Sequence, residues 1–422
     1  MSPLDIVILT NAPGEIATWV RPVVKALRKA LGTDTDRARI SVILSPCPHS
    51  TGKEAQIAAS YPEIDRVQAA EDFFPFLLWG KTAHHWHWRD RGIVIFLGGD
   101  QFYTLVIGKR LGYRTLVYAE WEARWYRYLD AFAVMNDRVL QKIPARYHHK
   151  FTVVGDLIAD IVLEVAETSD DNSLTAIERD STIIGLLPGS KPAKLMQGVP
   201  LCLAIAEKLQ TLQPNVRFII PVAPTIDVDT LAYYARPEHN SLIPQLGGVT
   251  GKLITEEGKP DLLTSGGTKI TLITEFPAYQ QLLACQLCVT TVGANTAELG
   301  SLGIPMIVLL PTQQLDAMRS WDGIPGILAN LPFLGTSFAK LINTFVISRK
   351  RLFAWPNIWA KTEIVPELIG NLNPQEIAKI IVDYLHHPEE LKIMSNSLIS
   401  CRGKYGAASK IAEIVTQKLI SE

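Results

Sequence analysis

The chain has 422 residues, 47% of them apolar and 20% charged, with a formal net charge of -1 and five cysteines. That length suits two or three domains with full cores. The near-zero charge argues against a protein that binds nucleic acid by neutralising phosphates, and an odd, small cysteine count argues against a disulfide framework and fits a reducing compartment.

The first predicted elements are a short β-rich run, "DIVILT", the turn "NAPGE", and a helical pattern in "TWVRPVVKALRKAL". Strand, glycine-containing turn and helix in that order open an α/β unit. The start, "MSPLDIVILT", lacks the basic residues and long apolar run of a secretory signal. Buried-strand candidates follow in "RISVIL", "GIVIFLGG", "RTLVYA", "AFAVMN" and "FTVVGD". Their alternation with helical segments predicts a parallel sheet covered on both faces.

The polar stretch "AETSDDNSLTAIERDST", residues 166–182, reads as a linker between an N-terminal domain (1–165) and a second α/β domain (183–385). The second domain restarts with "TIIGLLPGS" and continues through "VRFIIPVA", "KITLIT", "LCVTTVGA" and "IPMIVLLP". Residues 227–266 interrupt it, and no element is assigned to them. Residues 386–422 are expected to form C-terminal helices that pack back on the first domain. The fold class is therefore α/β, two doubly wound Rossmann-like domains whose ligands lie in a cleft at the carboxyl ends of the strands.

Two turns in the second domain suit a phosphate. In "LLPGSKPAKL", Gly189 permits close backbone approach, Ser190 offers a hydroxyl and Lys191 a positive charge. A plain strand-to-helix turn explains the same residues. In "TTVGANTAELGSLGIPMIVLLP", Gly293, Asn295 and Thr296 start a helix whose N-terminus favours a diphosphate, with Glu298 in the first turn available to ribose hydroxyls. Glu298 as a surface residue that complements the helix dipole is the alternative.

These segments resemble the lipid-A-disaccharide synthase family. "LLPGSK" is similar to its "LLPGSR", and "GANTAELGSLGIPMIV" to its "SGTAALE…PMVV". "KLINTFVISRKRLFAWPNIWAKTEIVPELIG" resembles its "YISLPNLLAGREVVPELLQ", with Asn357 and Glu367 matching, and "FTVVGDLIAD" resembles "FVGHPLAD". The resemblance runs through the chain in order. It implies a B-type glycosyltransferase fold, an inverting reaction, a UDP-sugar donor and no metal or other cofactor. It also implies donor binding by Gly189, Ser190, Lys191, Gly293, Asn295, Thr296, Glu298, Asn357 and Glu367. The first domain departs more: "NAPGEIATW" stands for "AGEASGD" and "FLGGDQFY" for "IDAPDFN". Lys191 replaces an arginine, which keeps the charge and loses the bidentate fork.

An acceptor hydroxyl must lose a proton as UDP leaves, and a carboxylate is the usual base. Asp100, after Gly98-Gly99 at the end of an apolar strand, is the first candidate, with helix capping its alternative task. Glu15 competes with it, and Glu120 and Glu122 come third. Asp34 and Asp36, and Asp227 and Asp229, mimic metal-binding carboxylate pairs in loop-like contexts. Cys285 and Cys288 have CxxC spacing in an apolar setting, which favours core packing over zinc.

The segment "FFPFLLWGKTAHHWHWRDRG" combines an apolar run with His84, His85 and His87. Metal binding, core packing and an interfacial patch all compete for it. The composition favours a surface that dips into lipid headgroups, through Phe73, Phe74, Phe76 and Trp79, and the resemblance implies the same. Basic and aromatic residues between Lys340 and Lys361 point to an anionic membrane surface. Breakers within residues 323–347 argue against a spanning helix.

The expected function is transfer of a sugar from a UDP-sugar to a lipid-linked or glycolipid acceptor, by a cytoplasmic protein peripheral on the inner face of the membrane. A UDP-sugar epimerase and a non-catalytic nucleotide-sugar-binding protein are the alternatives.

Overall fold

A computed structural model describes residues 3–47, 50–168, 182–256, 258–311 and 352–419. The chain divides into two compact units, Met1–Thr168 with Gly403–Glu422, and Ser169–Arg402. The expected C-terminal group is therefore split, one helix going to each unit. The helices used below are α1 (Arg21–Leu31), α2 (Phe73–Trp79), α3 (Gln101–Leu111), α4 (Pro192–Leu212), α5 (Val228–Tyr234), α6 (Ala294–Leu302), α7 (Trp355–Ala360), α8 (Pro374–His386), α9 (Pro388–Cys401) and α10 (Ala407–Glu413).

The first unit holds a seven-stranded sheet of β1 (Leu4–Thr10), β2 (Ala38–Leu44), β3 (Arg66–Gln68), β4 (Gly92–Phe96), β5 (Arg114–Ala119), β6 (Ala131–Val134) and β7 (Phe151–Val153). The order is β3-β2-β1-β4-β5-β6-β7, and every described pairing is parallel. All of β1 is buried, as expected of a central strand covered on both faces. One cover is α1, which turns Val23, Val24, Leu27 and Leu31 inward. Against it packs α10, whose Ala407, Ala408, Ile411 and Ala412 join the same core. The small residues at 407, 408 and 412 let the two helices approach closely. Asp160 fixes the start of α10, accepting from the backbone N–H groups of Gly406, Ala407 and Ala408, donors that a helix terminus otherwise leaves unsatisfied.

The second unit holds β8 (Ile183–Leu187), β9 (Arg217–Pro221), β10 (Gly251–Glu256), β11 (Lys259–Thr264), β12 (Lys269–Ile273), β13 (Leu287–Thr291), β14 (Met306–Pro311) and β15 (Glu367–Gly370), in the order β10-β11-β12-β9-β8-β13-β14-β15. The unassigned insertion contains α5 and the antiparallel pair β10–β11, which extends the sheet through β12. Its polar, glycine-containing sequence hid an edge hairpin, which needs only one buried face. Helix α4 packs so tightly on the sheet that a Cβ on Gly198 would lie 2.2 Å from the Pro188 carbonyl oxygen. Helix α9 belongs to this unit, placing Met394 and Leu398 against Leu299 and Met306. Among the described residues no helix is long and apolar enough to cross a membrane; residues 323–347 lie outside them.

Candidate functional site

In an open α/β sheet, ligands gather beyond the carboxyl ends of the strands, at the point where strand order reverses. The first sheet reverses between β1 and β4 and the second between β8 and β13. Both pairs of loops at these points carry sequence-predicted residues.

In the first unit, β1 runs into Asn11, a turn of helix at Pro13–Glu15 and a wider π-type turn at Ile16–Val20 before α1 begins. Such turns recur at functional sites. Glu15 folds back so that its Oε2 accepts the Ala12 backbone N–H at 3.2 Å. Burial pushes its carboxyl up to about 7, against the opposing effect of backbone hydrogen bonds from Ala12 and Asn11. Across the switch point, Gly98 follows β4, and a Cβ there would stand 2.0 Å from Glu15 Oε2 and 3.1 Å from Thr10 Oγ1. The hydroxyl of Thr10 and the side-chain oxygen of Asn11 are buried without a hydrogen-bond partner. A carboxyl and two unsatisfied oxygens thus lie together at one strand end, polar groups of the kind that call for a partner.

Asp100 takes up the capping task that was its alternative. It is exposed, and its Oδ1 accepts the Phe102 N–H at 2.9 Å as the N-cap of α3. Glu120, after β5, is pushed up to about 8, chiefly by burial and then by the charges of Asp156 and Glu15. Asp156, after β7, is raised to about 6 by burial, with Asp160 adding to the effect, and its Oδ2 is buried without a partner. Glu15, Glu120 and Asp156 are thus three carboxyls of the first unit that burial raises. Glu122 is exposed and pairs with Arg124. Asp156 lies within "FTVVGDLIAD", which matches the family as a segment without a role for the aspartate; its signal is a carboxylate three residues past a short strand.

In the second unit the β8 loop carries Gly189, Ser190 and Lys191, and the β13 loop carries Val292 and Gly293 ahead of α6. Gly189 has φ +100°, and a Cβ there would meet Lys194 Cβ at 2.9 Å. Lys191 is the N-cap residue of α4. Ser190 and Asn295 have side chains without a partner among the described residues. Glu298 lies in the second turn of α6, not the first, because the helix starts at Ala294. Its carboxyl has no partner among the described residues, and burial raises it to about 7.

Three other expected donor residues have their polar groups occupied. Thr296 Oγ1 donates to the Gly293 carbonyl and accepts the Trp355 N–H. Asn357, fully buried, donates to the Val365 carbonyl and Glu367 Oε1 and accepts from the Ile364 and Val365 N–H groups. Glu367 also accepts the Phe353 and Ala354 N–H groups ahead of α7. With all four of its hydrogen-bonding positions used, Asn357 holds the loop after α7 to the start of β15.

The remaining candidates lie apart from both switch points. Asp227 caps α5 through the Thr230 N–H, and Asp34 accepts the Asp36 N–H in a turn. Cys285 and Cys288 are buried against Gly185, where a Cβ would sit 2.6 Å from Cys288 Sγ. In α2, Phe73 and Phe76 are fully buried, so their expected membrane contact is corrected: at i and i+3 they face the core with Leu77. Phe74, Leu78 and Trp79 are 49%, 55% and 64% exposed on the other side. His84, His85 and His87 are exposed, and Trp86 and Trp88 both contact the Arg66 guanidinium, at 4.3 and 4.9 Å. The basic residues from Lys340 to Arg351 lie outside the described residues; Lys361 is exposed.

No protein-family model matches the chain. Curated lipid-A-disaccharide synthases do: that of Persephonella marina is 22% identical over 276 residues, covering 64% of this chain and 59% of the relative. That of Nitrosococcus oceani is 23% identical over 242 residues, 57% of this chain and 49% of the relative, and that of Geobacter metallireducens 22% over 342 residues, 78% and 75%. The chain spans 59% and 49% of the first two relatives' lengths. It is a divergent relative of these synthases. Among solved structures, S. aureus MnaA with UDP aligns over 100% of this chain and 98% of its own, at a TM-score of 0.55 and 12% identity. A putative UDP-N-acetylglucosamine 2-epimerase from Listeria monocytogenes covers 99% and 97%, at 0.53 and 13%. These likenesses establish the two-domain B-type glycosyltransferase fold and nothing finer.

Proposed function

We propose that the protein is an inverting glycosyltransferase that moves a sugar from a UDP-sugar to a lipid-linked or glycolipid acceptor. The second unit holds the nucleotide, through the loops at Gly189 and Gly293 and the side chains of Ser190, Asn295 and Glu298. The first unit supplies the base. The observation that carries the reading is Glu15: a carboxyl at a sheet switch point, raised to about 7 and flanked by two unsatisfied oxygens. A base with a pKa near the working pH combines ionisation with proton affinity. Glu15 takes the acceptor hydroxyl's proton as its oxygen bonds to the anomeric carbon from the face opposite UDP. The bond to the diphosphate breaks, and its electron pair leaves on the phosphate oxygen. Asp100, expected first from sequence, is left with the capping of α3. Positive charge comes from lysine, and no metal has a part in the reading; activity should survive EDTA.

The coverage of the lipid-A-disaccharide synthases and the apolar face of α2 support a lipid acceptor reached at a membrane surface, on the cytoplasmic side where nucleotide sugars are made. Lys81 and Arg110 border that face, Arg110 donating to the Leu78 carbonyl, which suits anionic headgroups.

One observation favours a second reading. Glu120 feels the charge of Glu15, and both are raised into the range where one holds a proton while the other is ionised. Such a pair can serve as acid and base in a UDP-sugar epimerase. Labelled UDP-sugars incubated with a lipid extract test both readings. Label moving into lipid supports transfer, a new UDP-sugar formed without acceptor supports epimerisation, and binding without turnover leaves a nucleotide-sugar-binding protein.

A further inference from the structure

The β8–α4 loop and the start of α6 meet over Lys194, which no sequence motif singled out. Its stem fills the space that a side chain on Gly189 would take: a Cβ there would lie 2.9 Å from Lys194 Cβ and 3.1 Å from Cδ. Its ammonium donates to the Val292 carbonyl, and a Cβ on Gly293 would stand 2.8 Å from Nζ. One side chain therefore spans both glycine turns at the switch point of the second sheet.

Among the described residues Lys194 has no carboxylate partner, and the charged group that acts on it is another lysine, Lys191. Burial first, and Lys191 second, depress the Lys194 ammonium to about 8. Lys194 is half-buried, and a cation drawn out of water is ordinarily paired. An ammonium with two N–H donors left, against two turns whose glycines allow close backbone approach, can hold an anion. Ser190, in the β8 loop, and Asn295, at the start of α6, have side chains without a partner among the described residues. Two loops from adjacent strands can cradle a group with two charged centres, whereas a single helix terminus holds one.

We propose that Lys194 is the anion-binding residue of the second unit, holding the diphosphate of a nucleoside diphosphate across the turns at Gly189 and Gly293. Lys191 stands at the rim and only adds to the field. The inference deepens the transferase reading and rests on it for the identity of the nucleotide, but not for the anion. In transfer, this ammonium meets the charge that develops as the sugar–diphosphate bond breaks.

The test is titration calorimetry at pH 7 with UDP, uridine and inorganic pyrophosphate, on the wild type, Lys194→Met, Lys194→Arg and Lys191→Met, each checked by circular dichroism for an intact fold. Hydrogen bonds to charged groups contribute ~1.5–3 kcal/mol, so Lys194→Met should weaken UDP and pyrophosphate roughly 10- to 150-fold and leave uridine unchanged. Lys194→Arg should recover part of the loss, and Lys191→Met should cost a few-fold. UDP binding equal in wild type and Lys194→Met overturns the inference and leaves the transferase reading standing. Pyrophosphate binding that depends on Lys194, without any preference for UDP, supports the anion site and removes the nucleotide reading. A wild type that binds neither overturns both.

Discussion

The carboxylate of Glu15 occupies the space where a side chain on Gly98 would begin, with the would-be Cβ 2.0 Å from Oε2. The glycine after β4 and the acid after β1 are thus one feature, divided between two loops 83 residues apart. Losing a positioned base costs about 10²–10⁴-fold in rate. Glu15→Gln should lose turnover on that scale while UDP binding stays intact, and Asp100→Asn should lose far less, since an amide oxygen still caps α3. Gly98→Ala should resemble Glu15→Gln by displacing the carboxylate. The base must be ionised, so kcat/KM should climb about tenfold per pH unit and level off near 7, and Glu15→Gln should lack that limb. A pH–rate series on the three variants decides; full activity in Glu15→Gln moves the base elsewhere.

Asn357 and Glu367 carry a different expectation. Both match the family segment that implied donor binding, yet Asn357 spends every hydrogen bond on Val365, Ile364 and Glu367. Removing that amide strands the Val365 carbonyl and two N–H groups, each worth ~1–3 kcal/mol when buried and unpaired. Asn357→Ala should therefore destabilise the second unit by about 3 kcal/mol in urea unfolding, while any UDP bound by the folded fraction keeps its affinity. A stable variant with weakened UDP binding would return Asn357 to the donor site.

How much of this was readable follows from what each signal depends on. The strands were legible because apolar runs such as "DIVILT" and "LCVTTV" report burial on both faces, a one-dimensional property. The two switch-point loops were legible because glycine after such a run marks a turn. Lys194 was not, since its place beside Gly293 is set by the pairing of β8 with β13, which brings up Val292, 98 residues on from the lysine. The choice between Glu15 and Asp100 was closed to sequence for the same reason: both follow strands, and only the packing shows one half-buried and raised, the other solvated and capping. In "FFPFLLW" composition could not say which half faces in; a helical phase anchored by Phe73 and Phe76 in the core answers that.

That phase makes the membrane expectation sharper. Only Phe74, Leu78 and Trp79 are exposed on α2, so Phe74→Ser with Trp79→Ser should abolish flotation with vesicles containing anionic lipid and leave the melting temperature nearly unchanged. Phe73→Ser or Phe76→Ser should instead destabilise the first unit by ~3–5 kcal/mol, the cost of emptying a buried aromatic site. Flotation that survives loss of both exposed aromatics would leave α2 with no membrane role.

The last expectation concerns the cost of keeping Lys194 charged without an anion. Its folded pKa of about 8 lies below the ordinary 10.5, so between these values the unfolded chain keeps a proton that the native state has released. Stability then rises with pH across that window, and the full penalty is present at pH 7. A difference of about 2.5 units corresponds to a ceiling of ~3 kcal/mol. Losing the bond to the Val292 carbonyl returns ~1 kcal/mol of that, and partial exposure of the side chain reduces it further. Lys194→Met should accordingly stabilise the ligand-free protein by ~1–2 kcal/mol at pH 7, with the gain shrinking toward pH 10.5. Saturating pyrophosphate should reverse the order, because it stabilises only the variant that binds it. Urea unfolding at pH 7 and pH 10, with and without pyrophosphate, gives four comparisons. A Lys194→Met variant less stable than wild type by the same amount in all four would mean that the lysine serves packing, and that its charge answers to no ligand.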